Sequence, residues 1–207
     1  MKQEILGAII AGGVSSRYGS PKALARVGGM PIVERVLRAL SAVTPDVVMI
    51  ANSNEIARAV KLPWRSDTIP GAGALGGIYT ALLWAMERER SGILAVACDM
   101  PFLSVGLLEW ILGVAAERDA DVVAPEGGGR REIEPLCAWY HVDCVPSIRD
   151  ALQRGDHRLI SFHAAVRIRR IPIDTVSTFG DPGVLFMNVN TREDRDVANK
   201  LAGSEAI

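Results

Sequence analysis

The sequence predicts an α/β fold of three layers, a mostly parallel sheet with helices on both sides, and two observations carry that reading. Short apolar runs recur as continuous blocks, the pattern of strands covered on both faces. Between them lie stretches with apolar residues at helical spacing, so that strand and helix alternate along the chain.

Taken in order, Ile5 to Ala11 is the first strand. With about seven residues it is too short to span a bilayer. Pro31 to Val43 follows as a helix with proline in its first turn, then Val47 to Ala51 as a strand and Leu75 to Arg88 as a helix. Ile93 to Ala97 is the next strand, Ser104 to Arg118 a helix capped by Ser104, and Ala120 to Ala124 a further strand. Beyond a glycine turn at Gly127-Gly128-Gly129, Glu134 to Tyr140 reads as a strand and Val142 to Gln153 as a helix. Arg167 to Ile173 alternates basic and apolar residues, as a half-exposed strand does. Thr191 to Leu201 closes the chain as a helix, with Thr191 as its cap and Asp194 three residues on, close to a capping box. No repeat or linker interrupts residues 1–207, so one domain is expected.

Composition narrows the ligands. Lysine and arginine number 23 against 24 aspartates and glutamates, a net charge of −1. That leaves no electrostatic footprint for nucleic acid or an anionic membrane surface and points to small molecules. The three cysteines, Cys98, Cys137 and Cys144, are an odd number with no secretory pattern ahead of them, which suggests free thiols in a reducing compartment, most simply the cytoplasm. Cys137, His141 and Cys144 lack a fourth ligand at zinc spacing, and Cys137 lies in an apolar strand. His157 and His163 read as surface or packing residues, with no serine or cysteine nucleophile in view.

The most specific signal is AIIAGGVSSRYGSPKAL, Ala8 to Leu24, an apolar strand running into a glycine-rich loop that ends on a lysine. Glycines let backbone N–H groups close on phosphate oxygens, and a lysine ammonium adds a point charge. Gly12, Gly13, Gly19 and Lys22 supply those parts, with Arg17 as a second cation; Ser15 and Ser16 either donate to phosphates or cap the turn. The spacing fits neither a Walker A loop, which needs Ser or Thr after its lysine where Ala23 stands here, nor a dinucleotide G-x-G-x-x-G.

Open parallel sheets bind ligands at the carboxyl ends of their strands. The glycine loop follows the first strand, Asn52 the second, and Asp99 the strand ending at Ala97, so all three are placed at one crevice. Asp99, in Cys98-Asp99-Met100-Pro101, is either a turn or cap residue or a metal ligand. Two like charges about 4 Å apart at an effective dielectric near 20 repel by roughly 4 kcal/mol, so a carboxylate beside a triphosphate calls for a divalent cation between them. Mg²⁺ suits one carboxylate plus phosphate oxygens. Asp67 opens a glycine-rich loop into the helix near Leu75, which either packs closely or contacts a base or ribose. Asn188 and Asn190, before Thr191, either cap the last helix or present amides to a polar heterocycle. Arg130, Arg131, Arg167, Arg169 and Arg170 read as a solvated face, some of them available to an anionic second substrate.

Together, Ala11-Gly12-Gly13-x-Ser15-Ser16-Arg17-x-Gly19-x-x-Lys22, Asp67-x-x-Pro70-Gly71, Cys98-Asp99-Met100-Pro101-Phe102-Leu103 and Asn188-x-Asn190-Thr191 resemble the molybdenum cofactor guanylyltransferase family, often called MobA, over nearly the whole chain. Tyr18, Ser20-Pro21, Ala74 and Arg192 depart from its pattern. The resemblance implies a Rossmann-like nucleotidyltransferase fold that transfers GMP from MgGTP to molybdopterin, or molybdenum-molybdopterin, and releases pyrophosphate. By the same resemblance, Ile10, Ala11, Gly12, Gly13 and Lys22 match positions that hold GTP, with Gly13 on the guanine side of a guanine-versus-cytosine choice. Asn52 and Asp67 match nucleoside contacts, Asp99 the Mg²⁺ ligand, and Asn188, Asn190 and Thr191 the pterin side. Lys22, Asp99 and Arg17 form the implied catalytic set, and cofactor-biosynthesis proteins or an acceptor molybdoenzyme are implied partners. A cytidylyl or sugar-phosphate transferase, or a non-catalytic nucleotide or cofactor carrier, is the competing reading.

Overall fold

The computed structural model describes residues 5–11, 22–52, 54–128 and 132–204. Inside the sheet, β1 (Ile5–Ala11) pairs in parallel on one side with β4 (Val47–Ala51) and on the other with β6 (Gly92–Ala97). Both β1 and β4 have the bounds expected from their apolar runs, because a strand buried on both faces has no polar residue to blur its ends. The sheet runs β5-β4-β1-β6-β8-β7-β9, where β5 is Trp64–Arg65, β7 Val122–Pro125, β8 Cys137–His141 and β9 Ile168–Ile171. β4 and β5 pair in parallel, as do β7 and β9, whereas β8 runs antiparallel to both β6 and β7. The sheet is therefore mostly parallel, as expected, with one reversed strand.

Period-two geometry splits β1 between two cores. Ile9 points to the face covered by α1 (Ile32–Val43), α4 (Val105–Ala115) and α8 (Arg192–Ser204), whose Val36, Leu40, Leu107, Ile111 and Ala198 are buried there. Leu6, Ala8 and Ile10 point to the other face, beneath α3 (Gly73–Glu87) and α5 (Val145–Gln153), against Leu75, Ile78, Leu82, Ile148 and Leu152. A methyl added at Gly77 of α3 would lie 2.9 Å from Ile10 Cγ2, so glycine there lets the helix settle against the end of β1.

Several elements carry weaker sequence signals. β2 (Arg26–Val27) and β3 (Met30–Pro31) form a hairpin around Gly28-Gly29, both at positive φ, as a two-residue I′ turn requires. α2 (Asn54–Val60), α6 (Ile173–Ser177) and α7 (Pro182–Leu185) are short. The strand expected from Glu134 begins only at Cys137, because the Cys137 amide turns back to the Glu134 carbonyl at 3.1 Å. The helix expected from Val142 opens with a 3₁₀ turn, Val142–Cys144. The strand expected from Ala120 begins two residues later, and Asp121 instead receives the Arg167 backbone N–H at 2.9 Å and its guanidinium at 2.7 Å.

The two predicted caps are present. Ser104 Oγ accepts from the Leu107 amide at 3.4 Å. Thr191 Oγ1 accepts from the Asp194 amide at 3.0 Å while Asp194 Oδ2 accepts from the Thr191 amide at 2.8 Å, a capping box with aspartate in place of glutamate. Cys98, Cys137 and Cys144 are free and buried, and burial pushes each thiol up to about 12.

Candidate active site

The switch in strand order falls at β1: the chain leaves β1 for β4 and β5, then crosses through α3 to β6 on the far side. Ligands bind at such a point, beyond the carboxyl ends of the strands. A cleft of about 960 Å³ opens there. Ile10 and Ala11 from β1, Lys22, Asp99 beyond β6, and Asn188 and Asn190 all line it.

Three backbone connections fix these groups. The Cys98 amide donates to the Ile10 carbonyl at 3.2 Å, carrying the β1–β6 ladder one residue past the strand and up to Asp99. The Val189 amide donates to the Asp99 carbonyl at 3.0 Å, clipping the segment around Asn188 and Asn190 to the same strand end. Lys22 opens a 3₁₀ turn, Lys22–Leu24, closed by the Ala25 amide on the Lys22 carbonyl at 3.0 Å.

The side chains converge on a single cation. Lys22 Nζ donates to Asp99 Oδ2 at 2.5 Å and to Asn190 Oδ1 at 2.6 Å. The Asp99 side chain is only 10 % exposed and that of Lys22 21 %. Asn190 is held from behind, because its amide donates to Asp194 Oδ2 at 2.9 Å. Asn188 Nδ2 donates to the Phe186 carbonyl at 3.0 Å. Thr191, expected on the ligand side, is not among the residues lining the cleft, and its hydroxyl is taken up in capping α8.

Asn52 and Asp67 form a second pair. Asn52 Nδ2 donates to Asp67 Oδ2 at 2.9 Å, and the Asp67 amide returns a bond to Asn52 Oδ1 at 3.1 Å. Asp67 Oδ1 is buried without a partner among the described residues. Burial raises the Asp67 carboxyl above the ordinary aspartate range, and the bond from Asn52 only partly opposes it. A methyl on Gly77 would lie 3.6 Å from Asp67 Oδ1 and 2.9 Å from Ile10 Cγ2, which places the lone oxygen beside the end of β1 although the pair does not line the main cleft.

Gly12, Gly13, Ser15, Ser16, Arg17 and Gly19 lie outside the described residues, as do Gly129, Arg130 and Arg131. Glu132, Ile160 and His163, for which no motif suggested a role in a site, also line the cleft, together with Arg170, one of the arginines expected on a solvated face with some available to an anionic second substrate. His163 Nε2 is buried without a partner among the described residues, and burial together with Arg170 lowers its basicity. Arg170 pairs with Glu132 at 3.0 Å and Arg169 with Asp119 at 3.1 Å, as exposed cations of a half-solvated strand do. No cluster of three or more metal-ligating His, Cys, Asp or Glu occurs among the described residues.

A mostly parallel sheet covered on both faces, with a lysine–carboxylate pair in a cleft at its switch point, is the arrangement of a ligand-binding α/β protein. Residues 7–168 match the model of the MobA-like NTP transferase domain, and the chain belongs to that family. It is 33 % identical over 196 residues to a probable molybdenum cofactor guanylyltransferase of Pelotomaculum thermopropionicum, covering 95 % of this chain and 92 % of that one. It is 30 % identical over 195 residues to the molybdenum cofactor guanylyltransferase of Desulfosudis oleivorans, covering 94 % of each. The fold matches the crystal structure of molybdopterin-guanine dinucleotide biosynthesis protein A from Archaeoglobus fulgidus, with a TM-score of 0.79 at 22 % identity over 96 % of this chain and 99 % of that one. The chain is thus a nucleotidyltransferase of the MobA type, and no helix among the described residues is long and apolar enough to cross a membrane.

Proposed function

We propose that this nucleotidyltransferase transfers GMP from MgGTP to molybdopterin or molybdenum-molybdopterin, in the cytoplasm, with residues 1–207 acting as one unit. The observation that carries this reading is the convergence of Lys22, Asp99 and Asn190 on one cationic point at the switch of the sheet.

In this reading a terminal phosphate oxygen of molybdopterin attacks the α-phosphorus of GTP in line. The bond from that phosphorus to the bridging oxygen breaks, and pyrophosphate leaves with the bonding pair. Lys22 turns from Asp99 to the phosphates and offsets their charge, with Arg17 and the amides around Gly12 and Gly13 adding donors. Asn52 and Asp67 hold the nucleoside, with the unpartnered Asp67 Oδ1 accepting from a donor on it. Asn188 and Asn190 meet the acceptor.

The donor set suits magnesium. Asp99 Oδ2 and Asn190 Oδ1 are hard oxygens already gathered around one positive centre, the Lys22 ammonium, and Asp99 is the carboxylate that would hold the ion. When bound there, Mg²⁺ supplies charge neutralisation at the phosphoryl group. A guanylyl transfer needs no covalent enzyme intermediate, and Cys98, which lines the cleft, is a poor nucleophile with its thiol pushed up to about 12.

The test is binding of GTP, CTP, ATP and UTP to the purified protein, each with and without Mg²⁺. Selective GTP binding that Mg²⁺ strengthens is the expected result. A preference for CTP moves the chain to cytidylyl transfer, and no nucleotide binding at all overturns the catalytic reading.

A further inference from the structure

The face of α3 that turns toward Asp67 is built from Gly76, Gly77 and Thr80, neighbours at helical spacing. A methyl on Gly76 would lie 3.5 Å from the Ile69 carbonyl oxygen, and one on Gly77 would lie 3.6 Å from Asp67 Oδ1. The two glycines therefore let the helix come close to the segment that carries Asp67.

Thr80 is the polar member of this face. It is 3 % exposed, in a helix whose Leu75, Ile78, Ala81 and Leu82 are fully buried. The Thr68 amide donates to Thr80 Oγ1 at 2.9 Å, while the Gly76 carbonyl and Thr68 Oγ1 lie 2.9 and 3.2 Å from the same oxygen. A hydroxyl has one proton and two lone pairs, so Thr80 gives its proton to one of those oxygens and keeps a lone pair for the amide.

The helix itself does not need this hydroxyl. Alanine is the better helix former, and a back-bond to the carbonyl four residues earlier slightly weakens a helix. The bond across to Thr68 is what the threonine adds. Asp67, one residue before Thr68, is held from the other side by Asn52, just beyond β4, through bonds of 2.9 and 3.1 Å. The carboxylate is thus clamped between a side chain at the end of β4 and one on α3. Thr80 is not among the residues lining the cleft, so its effect on a ligand passes through Asp67.

We propose that Thr80 is a positioning residue for nucleotide binding: by holding the Thr68 amide, it sets where the Asp67 carboxylate stands against Asn52 and the end of β1. This rests on the reading of Asn52 and Asp67 as nucleoside contacts and names what fixes their place.

Thr80→Val and Thr80→Ser test it, since valine keeps the shape without the hydroxyl and serine keeps the hydroxyl. Calorimetry with GTP and with inorganic triphosphate, both with Mg²⁺, reads the ligand side. Exchange of the Thr68 amide with solvent, followed in ¹H–¹⁵N spectra without ligand, reads the hydrogen bond. Thr80→Val is expected to speed that exchange by about tenfold and to weaken GTP by about tenfold, with triphosphate affinity kept within about twofold. Thr80→Ser should restore all three values.

A double-mutant cycle with Asp67→Asn locates the effect. If Thr80 acts through Asp67, Thr80→Val should weaken GTP by less than about twofold further in that background. A full tenfold further loss overturns the proposal. Faster Thr68 exchange with unchanged GTP affinity overturns it too and leaves Thr80 a purely structural residue, as does an equal loss of GTP and triphosphate. Wild-type protein that binds GTP with an affinity Asp67→Asn does not alter is a different failure: there the nucleoside reading of Asp67 falls, and the proposal with it.

Discussion

Lys22 Nζ lies 2.5 Å from Asp99 Oδ2 across a sequence separation of 77 residues. Before any nucleotide arrives, the cation that would meet the phosphates is parked on the carboxylate that would hold their metal. On the proposed function, binding would exchange partners at a prepared site without introducing a bare charge into it. Removing either group should hurt differently. Asp99→Ala is expected to lower turnover by about a hundredfold or more with the fold kept, because Lys22 still has Asn190 as an acceptor. Lys22→Ala should weaken GTP by about tenfold or more while leaving guanosine binding nearly unchanged. Calorimetry with both ligands separates the two, and an equal loss for GTP and guanosine would contradict a phosphate contact.

Asp67 leads to a prediction with a sign. Its carboxyl is raised by burial, so the folded state binds that proton more tightly than the unfolded chain does. The resulting contribution to stability is fully present below the ordinary aspartate range and is lost as the pH rises through the raised value. At neutral pH the protein carries the cost of an ionised, half-satisfied carboxylate. Asp67→Asn should therefore raise the melting temperature at pH 7 by a few degrees and lose that advantage near pH 4. Nucleoside binding should fall in the same variant if Asp67 Oδ1 serves as an acceptor. A lower melting temperature at pH 7 would show that Asn52 more than offsets the burial.

These pairs also show what was readable in the sequence. β1 and β4 were legible because each is one unbroken apolar block between polar ends. Asp99 was legible as a strand-end carboxylate because β6 precedes it and Pro101 stops the chain two residues on. The direction of β8 was not, since Cys-Ala-Trp-Tyr-His buries the same faces whichever way it runs; pairing with β6 and β7 sets the direction. Asn52 and Asp67, 15 residues apart, read as two separate nucleoside contacts, and only the fold joins them. Thr191 matched a ligand motif and a helix cap equally well, and its hydroxyl bonds the Asp194 amide. His163 carried no signal, because a histidine in a short 3₁₀ turn resembles any surface residue until the cleft forms around it.

The capping box of α8 ties stability to the site. Asp194 accepts from the amides of Asn190 and Thr191 at 2.9 and 2.8 Å. Burial pulls its carboxyl upward, but these amides and the Thr191 hydroxyl outweigh that and hold it below the usual aspartate value. The sign is opposite to that of Asp67: this contribution is present above the ordinary aspartate range and is lost as the pH falls through the lowered value. Asp194→Ala should cost about 1 kcal/mol, the usual worth of a helix cap, measured by urea unfolding at pH 7. Because the same carboxylate holds the Asn190 backbone, the variant should also raise KM for the acceptor more than for GTP. A stability loss with both KM values unchanged would confine Asp194 to the helix.

The cysteines give the last prediction. Cys98 sits between the end of β6 and Asp99 and lines the cleft, so its position alone would suggest a reactive thiol. Its surroundings argue otherwise: burial, and then the neighbouring Asp99 carboxylate, push the thiol up to about 12, with Lys22 opposing only in part. Cys137 and Cys144 are pushed to about 12 as well, mainly by burial. At neutral pH the thiolate fraction of such a group is on the order of 10⁻⁵, and the thiolate is the reactive form. Titration with an aromatic disulfide reagent at pH 7.5 should therefore find none of the three thiols reacting quickly in the native protein and all three after unfolding. In Asp99→Ala the Cys98 thiol loses its neighbouring negative charge and should react measurably faster than in the wild type, whereas Cys137 and Cys144 should not change. A native Cys98 that reacts at the rate of a free thiol would mean that the cleft admits water to that sulfur, and the basis for its inertness would fail.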